Sequence, residues 1–259
     1  MKNNKTALIT GASGGLGLEF TRLCAMDGDD LVLVARSKDK LESIAADLSA
    51  KHGVQVNVFP CDLSVKDAAQ EVYEFTKEKG LDIDILINNA GFGDAGPFAY
   101  SDWKKQYNMV QLNITALMQM THIFIKPMID RGYGKILNLS SVAAFAAGPD
   151  MSIYYASKEF VRSFSEAVAE EVKGSGVTVT AFCPGPTATG FEKAASMGNK
   201  STMFSHAASA DKVAEAGYAA MMKGKVLSYC GALVKMANIG SRLLPRAITR
   251  KCARYMNRI

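Results

Sequence analysis

The chain has 259 residues, of which 48% are hydrophobic and 21% charged, and its formal net charge is +5 at pH 7. This is the composition of a globular protein, and the absence of a low-complexity linker favours one domain. No apolar run is long enough to cross a membrane, no apolar signal core follows Met1, and the five cysteines are scattered without metal-ligand spacing, so we expect a cytoplasmic protein with reduced thiols and no metal site.

Residues 6–10 form a short, β-prone apolar run that leads into the sequence Gly11-Ala12-Ser13-Gly14-Gly15-Leu16-Gly17, and an amphipathic run follows. A strand, a glycine turn and a helix in this order aim backbone N–H groups and a helix N-terminus at a phosphate. The spacing G-x-x-x-G-x-G differs from the G-x-G-x-x-G dinucleotide fingerprint. A purely structural turn therefore stays open as an alternative.

The apolar residues 31–35 predict a second buried strand, and Arg36 follows it directly. In dinucleotide folds this position meets the adenosine ribose, where an acid binds the free 2′-hydroxyl and an arginine accommodates a 2′-phosphate. Residues 34–38 contain no Asp or Glu. The sequence therefore favours NADP(H) over NAD(H), the alternative being a solvated arginine at a strand end.

The next two strands are predicted at 54–60 and 83–87, separated by helical patterns. Asp62 lies at the carboxyl end of the first of them, where it could accept a hydrogen bond from the adenine amino group or cap a helix that starts near Ser64. The second strand is followed by Asn88-Asn89-Ala90-Gly91. Asn and small residues suit a tight turn, and they would let a flat cofactor approach closely.

A long helical segment is predicted at 102–129 with Asn113 inside it. Asn is unfavourable in the middle of a helix because its side chain competes for backbone hydrogen bonds, so this position suggests a role beyond helix formation. A further apolar strand then ends at Ser141.

Tyr154 and Lys158 open an amphipathic helix that continues to about residue 172. The i, i+4 spacing places their side chains on one helical face. A nearby ammonium group stabilises a phenolate, so we expect Lys158 to lower the pKa of Tyr154 towards that of a useful proton donor. An ordinary surface pair is the alternative.

A sixth strand is predicted at 177–182 and leads into Pro184-Gly185-Pro186-Thr187-Ala188-Thr189. Residues 187–208 have no clear periodicity and are a candidate substrate lid. A helix at 210–223 and a last strand at 225–229 complete the pattern. Strands that alternate with helices and are continuously apolar predict a parallel sheet covered on both faces, with the active site at the carboxyl ends of the strands.

These motifs together resemble the short-chain dehydrogenase/reductase family over residues 5–230. The resemblance implies an α/β, Rossmann-like doubly wound parallel sheet of about seven strands with helices on both faces. It also implies an enzyme that exchanges hydride between a nicotinamide cofactor and a carbonyl or secondary alcohol. A basic residue before the second glycine supports NADP in some members; that position is Gly14 here, so the NADP(H) prediction depends mainly on Arg36.

The resemblance also assigns roles to residues. Tyr154 would be the general acid in reduction, Ser141 would hold the substrate oxygen, Lys158 would lower the Tyr154 pKa and bind the nicotinamide ribose, and Asn113 would hold a water linked to Lys158. Ser140 should point to the opposite face of its strand. The cofactor-binding residues would be Gly11, Ser13, Gly15, Leu16, Gly17, Arg36, Asp62, Leu63, Asn89, Ala90, Gly91, Tyr154, Lys158, Pro184, Gly185, Thr187 and Thr189.

Residues 231–259 form a basic, amphipathic extension of the predicted domain, 1–230, and Pro245 divides it into two pieces. From Gly217 to the end the chain carries nine Lys or Arg and no acid, whereas the first 216 residues carry 21 basic and 25 acidic side chains. The apolar face of the extension could pack on the body or a second copy, lie on an anionic membrane, or contact an acidic acyl carrier.

An apolar substrate is expected, either a 3-oxoacyl thioester or a steroid-like or lipid-like ketone. The side chains that could form its adaptable pocket are Phe92, Phe145, Met151, Phe191, Met197 and Met203. We expect a homo-dimer or tetramer and no nucleic-acid partner. The alternative function is a regulator or scaffold of the same fold that binds NADP but has lost turnover.

Overall fold

A seven-stranded sheet lies at the centre of the protein, whose computed structural model describes residues 5–191, 195 and 207–257. In chain order its strands are β1 (Thr6–Thr10), β2 (Asp30–Ala35), β3 (Val56–Pro60), β4 (Ile85–Asn88), β5 (Gly134–Leu139), β6 (Val177–Pro184) and β9 (Leu227–Cys230). They are ordered β3-β2-β1-β4-β5-β6-β9, and all neighbours are parallel. The predicted doubly wound parallel sheet is confirmed.

Helices cover both faces of this sheet. They are α1 (Gly15–Met26), α2 (Lys38–His52), α3 (Ala68–Glu78), α4 (Trp103–Val110), α5 (Leu117–Arg131), α6 (Ser152–Glu171), α7 (Ala210–Met222), α8 (Ala232–Leu243) and α9 (Arg246–Met256). Successive strand residues point to opposite faces. Ile9 accordingly packs with α1, α2 and α7, whereas its neighbour Leu8 packs with α3, α5 and α6. Both faces are buried, which explains why the strands are apolar throughout.

The strand order reverses beside β1, and this reversal creates the site. The chain runs outward from β1 to β2 and β3, then crosses back to place β4 on the other side of β1. The connections that leave β1 and β4 therefore turn in opposite directions, and a crevice opens between them at the carboxyl ends of the strands.

The helix predicted at 102–129 contains an irregular turn. Between α4 and α5 the backbone forms a π-helical turn, Gln111–Ala116, with Asn113 buried inside it. Turns of this kind accommodate an extra residue in a helix and are frequent at functional sites. The unfavourable position of Asn113 in the sequence is thus matched by a local departure from α-helical geometry.

The last part of the chain agrees with the predicted elements where it is described. The short strands β7 (Thr187–Ala188) and β8 (Ala208–Ser209) pair at the two ends of the predicted lid, while 192–194 and 196–206 lie outside the described residues. Pro245 separates α8 from α9, as predicted. None of the described helices combines the length and the apolar character needed to span a membrane.

Candidate active site

A cavity of about 430 Å³ opens where β1, β4, β5 and β6 end. The predicted site residues that line it are Gly11, Ser13, Gly15, Leu16, Asn89, Ala90, Gly91, Ser141, Tyr154, Lys158, Pro184, Gly185, Thr187 and Thr189. The other predicted site residues, Gly17, Arg36, Asp62, Leu63 and Asn113, are not among the residues that line this cavity.

The turn after β1 requires glycine for two reasons, backbone conformation and close packing. Gly11 and Gly15 adopt φ values of +67° and +55°, which disfavour other residues. A Cβ atom on Gly17 would lie 2.1 Å from the carbonyl oxygen of Gly11, so only glycine lets α1 start this close to the turn. Gly14 precedes the helix without a side-chain cap. The first N–H groups of α1 are therefore open donors at the cavity wall.

Asn89 joins this turn to the segment that follows β4. Its Nδ2 donates to the carbonyl oxygens of Thr10 at 2.9 Å and Gly11 at 3.3 Å. The Thr10 hydroxyl in return accepts from the backbone N–H groups of Asn89 and Ala90, both at 3.0 Å. Four hydrogen bonds thus fix the two sides of the crevice relative to each other.

These residues fit the phosphate-bearing part of a dinucleotide. The helix start offers uncapped N–H donors, and a Cβ on Gly14 would project into open space, so the backbone there is accessible from the cavity. Open N–H groups at a helix N-terminus, together with the helix dipole, favour an anion. The donor set and the space agree with what a pyrophosphate requires.

The residues predicted to contact the adenosine do not line the cavity. Arg36 is exposed at the end of β2, and Leu63 is buried in the core. The Asp62 carboxylate accepts from the backbone N–H of Ser64 at 3.0 Å and from its hydroxyl at 2.7 Å. Of the two roles open for Asp62 in the sequence, the structure therefore shows the local cap. The capped segment is a turn, because α3 begins only at Ala68.

Lys40 is a cavity residue that the sequence reasoning missed. It lies in the first turn of α2 and lines the same cavity as the glycine turn. The signal was present in the sequence, since Lys40 follows the predicted ribose-side Arg36 by only four positions. A cation on the cavity wall increases the attraction of the cavity for an anionic group.

Ser141, Tyr154 and Lys158 come together on the opposite side of the cavity. The Ser141 hydroxyl is hydrogen-bonded to the Tyr154 phenol and accepts from the backbone N–H of Ala143 at 3.2 Å. Lys158 lies one helical turn after Tyr154, with its Nζ atom 5.9 Å from the centre of the phenol ring. The same Nζ donates to the carbonyl oxygen of Leu139 at 2.8 Å. The predicted shared face of the Tyr–Lys pair is present.

The predicted direction of the Tyr154 pKa is wrong in this structure. Burial raises the pKa of Tyr154 to about 12, and the hydrogen bond from Ser141 only partly opposes this. Burial also lowers the pKa of Lys158 to about 8. Desolvation of the phenolate is the largest cause of the Tyr154 shift, and the Lys158 ammonium, 5.9 Å from the ring centre, does not reverse it.

Two buried polar side chains hold this group from behind. The Ser140 hydroxyl donates to the carbonyl oxygen of Lys158 at 2.7 Å, which agrees with its predicted orientation away from Ser141. Asn113 donates to the carbonyl oxygen of Phe92 at 2.9 Å and to the Ser157 hydroxyl at 3.1 Å, and it accepts from the Phe92 N–H at 3.1 Å. The π-helical turn therefore aligns Asn113 with both α6 and the segment after β4.

The segment after β6 closes the cavity on its third side. The Thr187 hydroxyl donates to the carbonyl oxygen of Gly185 at 2.9 Å, which folds the chain back after Pro184. A Cβ on Gly15 would lie 3.1 Å from the Cβ of Thr189. The segment thus reaches the glycine turn directly.

The predicted apolar pocket is present in part. Phe92, Met151 and Phe191 line the cavity, and the Phe191 ring lies 5.2 Å from that of Tyr154. Phe145 does not belong to it, because it packs with Cys183 and Val234 in a separate buried cluster. Met197 and Met203, also predicted there, lie outside the described residues.

Comparison with known proteins gives a consistent result. The family model of short chain dehydrogenases matches residues 5–200. The chain is 35% identical over 177 residues to a very-long-chain 3-oxoacyl-CoA reductase of Phaeosphaeria nodorum, covering 67% of this chain and 52% of that protein. It is 36% identical over 191 residues to the human 17-beta-hydroxysteroid dehydrogenase type 3, covering 72% and 60%. The chain thus spans only about half to three fifths of these relatives.

A solved structure matches over a larger share. The short-chain dehydrogenase from Sphingobium yanoikuyae in complex with NADPH is 32% identical, with a TM-score of 0.83, and covers 92% of this chain and 93% of that one. The seven-stranded parallel sheet agrees with this fold match. The chain belongs to the short-chain dehydrogenase/reductase family.

Proposed function

We propose that this protein is an NADP(H)-dependent oxidoreductase that interconverts a ketone and a secondary alcohol on an apolar substrate. The observation that carries the proposal is one cavity that joins an open helix N-terminus, suited to a dinucleotide phosphate, to the group of Ser141, Tyr154 and Lys158. The family membership supports the same reaction class.

The mechanism follows from what these side chains do around a carbonyl group. The bound nicotinamide would supply or accept the hydride, while the protein orients the substrate and manages the proton. Ser141 and Tyr154 offer two hydroxyl donors to the oxygen on which negative charge develops. The raised pKa keeps Tyr154 protonated at neutral pH, so it is ready to act as the acid in the reduction direction.

Lys158 and Asn113 would support this proton transfer from behind. The lowered pKa of Lys158, about 8, means that its charge changes near physiological pH. Its hydrogen bond to the Leu139 carbonyl oxygen holds it beside Tyr154, and Asn113 donates to the neighbouring Ser157 of α6. We propose that Lys158 binds the cofactor ribose and that Asn113 positions a water towards it.

The preference for NADP(H) is supported by two cations at the ribose end, Arg36 after β2 and Lys40 in the first turn of α2. An arginine at this position suits a 2′-phosphate, and no acid occupies residues 34–38 to bind a free 2′-hydroxyl. The NADPH complex of the Sphingobium relative is consistent with this preference.

The substrate class is supported by the cavity wall and by the relatives. Phe92, Met151 and Phe191 provide an apolar and adaptable surface next to Tyr154. Two relatives are named very-long-chain 3-oxoacyl-CoA reductase and 17-beta-hydroxysteroid dehydrogenase type 3. We propose a 3-oxoacyl thioester or a steroid-like or lipid-like ketone as substrate.

The proposal includes the location, the oligomeric state and the domain organisation. Unpaired thiols at all five cysteines support a cytoplasmic location. Exposed aromatic side chains around the start of α4, including Tyr100 and Trp103, support a homo-oligomer. Val234 packs with Phe145 in one buried cluster, which supports 231–259 as an extension of the 1–230 domain.

The proposal is tested by NADPH consumption with a panel of 3-oxoacyl thioesters, steroid ketones and small ketones. Wild-type protein should oxidise NADPH with at least one apolar ketone and should use NADH less well. Tyr154→Phe should abolish this turnover while NADPH binding is retained. NADPH binding without turnover on the entire panel would instead support the regulator or scaffold.

A further inference from the structure

Helices α8 and α9 form a hairpin that is fixed to the protein body by its inner face. Val234 of α8 is fully buried in a cluster with Phe145 and Cys183. At the end of α9, Asn257 accepts from the Tyr155 hydroxyl at 2.9 Å and donates to the carbonyl oxygen of Pro149 at 2.9 Å. The hairpin therefore has a defined orientation, with one face turned to the body and the other turned away.

The outer face of this hairpin is apolar as well. On α8, Met236, Ile239 and Leu243 recur at helical spacing opposite the buried Val234, and Met236 and Leu243 are 69% and 77% exposed. On α9, Tyr255 is 72% exposed, also on the side away from the body. The body leaves Met236, Leu243 and Tyr255 mostly exposed and Ile239 about half exposed. Packing on the body, one possibility raised by the sequence, therefore does not account for this face.

Basic side chains accompany this outer apolar face along both helices. They are Lys235, Arg242, Arg246, Arg250, Lys251 and Arg254. All six are exposed, and none forms an ion pair within the described part of the chain. No acid occurs after Glu215. The hairpin therefore presents exposed apolar groups within a purely positive surface.

We propose that the outer face of the α8–α9 hairpin docks on an anionic lipid membrane. Helices with a basic polar surface and exposed apolar or aromatic side chains insert the apolar groups at the headgroup boundary while the cations contact anionic lipids. A second copy packed symmetrically on this face would bring positive surface against positive surface. An acidic carrier would match the charge of this surface, but charge pairing alone would not bury the exposed apolar side chains.

The hairpin lies beside the apolar end of the cavity, so docking would bear on how the substrate reaches the cavity. Ala253 of α9 belongs to the same buried cluster as Met151, Tyr154 and Phe191. Docking through the outer face would bring the apolar end of the cavity close to the lipid surface from which a lipid-like substrate could enter. The docking itself does not depend on which substrate is reduced, or on turnover.

The test is co-sedimentation of the full chain with phosphatidylcholine vesicles and with vesicles that contain phosphatidylserine as well. Wild-type protein should bind the anionic vesicles and should be released by high salt, since salt screens the basic surface. The double variant Met236→Ser/Leu243→Ser should lose at least about tenfold in vesicle partitioning. The matched control, Met26→Ser/Val65→Ser, removes two exposed apolar groups elsewhere, with exposures of 66% and 63%, and should bind as wild type does.

The charge contribution is tested in the same assay with Arg246→Gln/Arg250→Gln/Lys251→Gln, against Lys77→Gln/Lys79→Gln on and just after α3 as control. Circular dichroism and thermal unfolding establish that each variant is folded. Equal binding of hairpin and control variants would overturn the proposal. It would also be overturned if Met236→Ser/Leu243→Ser converted an oligomer into a monomer without changing vesicle binding, which would assign the face to a second copy.

Discussion

The two ends of the cavity are built in different ways. At the cofactor end, backbone groups form the wall, and glycines and the Asn89 hydrogen bonds hold two turns in contact. At the substrate end, side chains form the wall, and they come from the segment after β4, from α6 and its approach, and from the segment after β6. A wall made of backbone leaves little freedom for sequence change. A wall made of side chains can be altered residue by residue, which is how one fold serves many substrates.

Because the two ends are built differently, we predict that substitutions at each end change different measured quantities. A change at the cofactor end should weaken NADPH binding, and a change at the substrate end should raise KM for the ketone with NADPH binding unchanged. Lys158 lies between the two ends, and it should change the pH dependence of the stability of the protein.

The largest effect is expected from the pH dependence of stability that Lys158 contributes. Its folded-state pKa of about 8 lies below the ordinary 10.5, so between these values the unfolded chain binds more protons than the folded one. Stability from this group should therefore rise as the pH increases from about 8 towards 10.5, by about 3 kcal/mol in all. Urea unfolding of wild type and Lys158→Met at several pH values measures the difference, which a parallel pair of curves would contradict.

Gly17→Ala should break the cofactor end. The new Cβ would stand 2.1 Å from the Gly11 carbonyl oxygen, and relieving this contact must shift the turn. We expect a loss of about 1–3 kcal/mol in stability and a loss of at least about tenfold in NADPH affinity. Gly240→Ala in α8 is the control, since its Cβ would approach no atom closer than 3.6 Å. Unchanged NADPH affinity in Gly17→Ala would show that the turn does not hold the phosphates.

Asn257→Ala should disturb the substrate end of the cavity, although Asn257 itself does not line the cavity. It leaves the buried Tyr155 hydroxyl and the Pro149 carbonyl oxygen without their partner, at a cost of about 1–3 kcal/mol in stability. We expect a higher KM for the ketone with the same NADPH affinity. Thr249→Ala, which removes a hydroxyl bonded only within α9, is the control. A selective loss of NADPH affinity in Asn257→Ala would contradict the division into two ends.

Lys40→Met should give the smallest effect and should weaken the preference for NADPH over NADH. An accessible cation adds about 1 kcal/mol to the binding of a nearby phosphate, so NADPH affinity should fall about fivefold at low salt and NADH affinity should stay the same. Lys38→Met serves as the control, because Lys38 points away to Glu42 at 3.7 Å. An equal loss for both nucleotides would place Lys40 at the pyrophosphate instead of the 2′-phosphate.

Local sequence patterns predicted the features that depend on residues near each other in the chain. Continuous apolar runs gave the strands of the sheet, and the i, i+4 spacing gave the shared face of Tyr154 and Lys158. The glycine turn is recognisable for the same reason, because its close contacts are made among neighbouring residues such as Gly11 and Gly17.

Features that depend on tertiary packing could not be read in this way. The direction of the Tyr154 pKa depends on how deeply its phenol is buried, and this burial comes from elements far apart in the sequence. The contact of Asn257 with Tyr155 joins residues 102 positions apart. Phe145 is an aromatic residue of the kind that lines apolar pockets, but residues of β6 and α8 enclose it in the core.

The central claim is that Tyr154, and not its neighbour Tyr155, protonates the substrate oxygen. The most direct measurement compares kcat and NADPH affinity for Tyr154→Phe and Tyr155→Phe with the same ketone. We predict that Tyr154→Phe loses at least about a hundredfold in kcat with NADPH affinity within about twofold of wild type, whereas Tyr155→Phe keeps most of its kcat. Equal losses in the two variants, or near-normal turnover in Tyr154→Phe, would contradict the account.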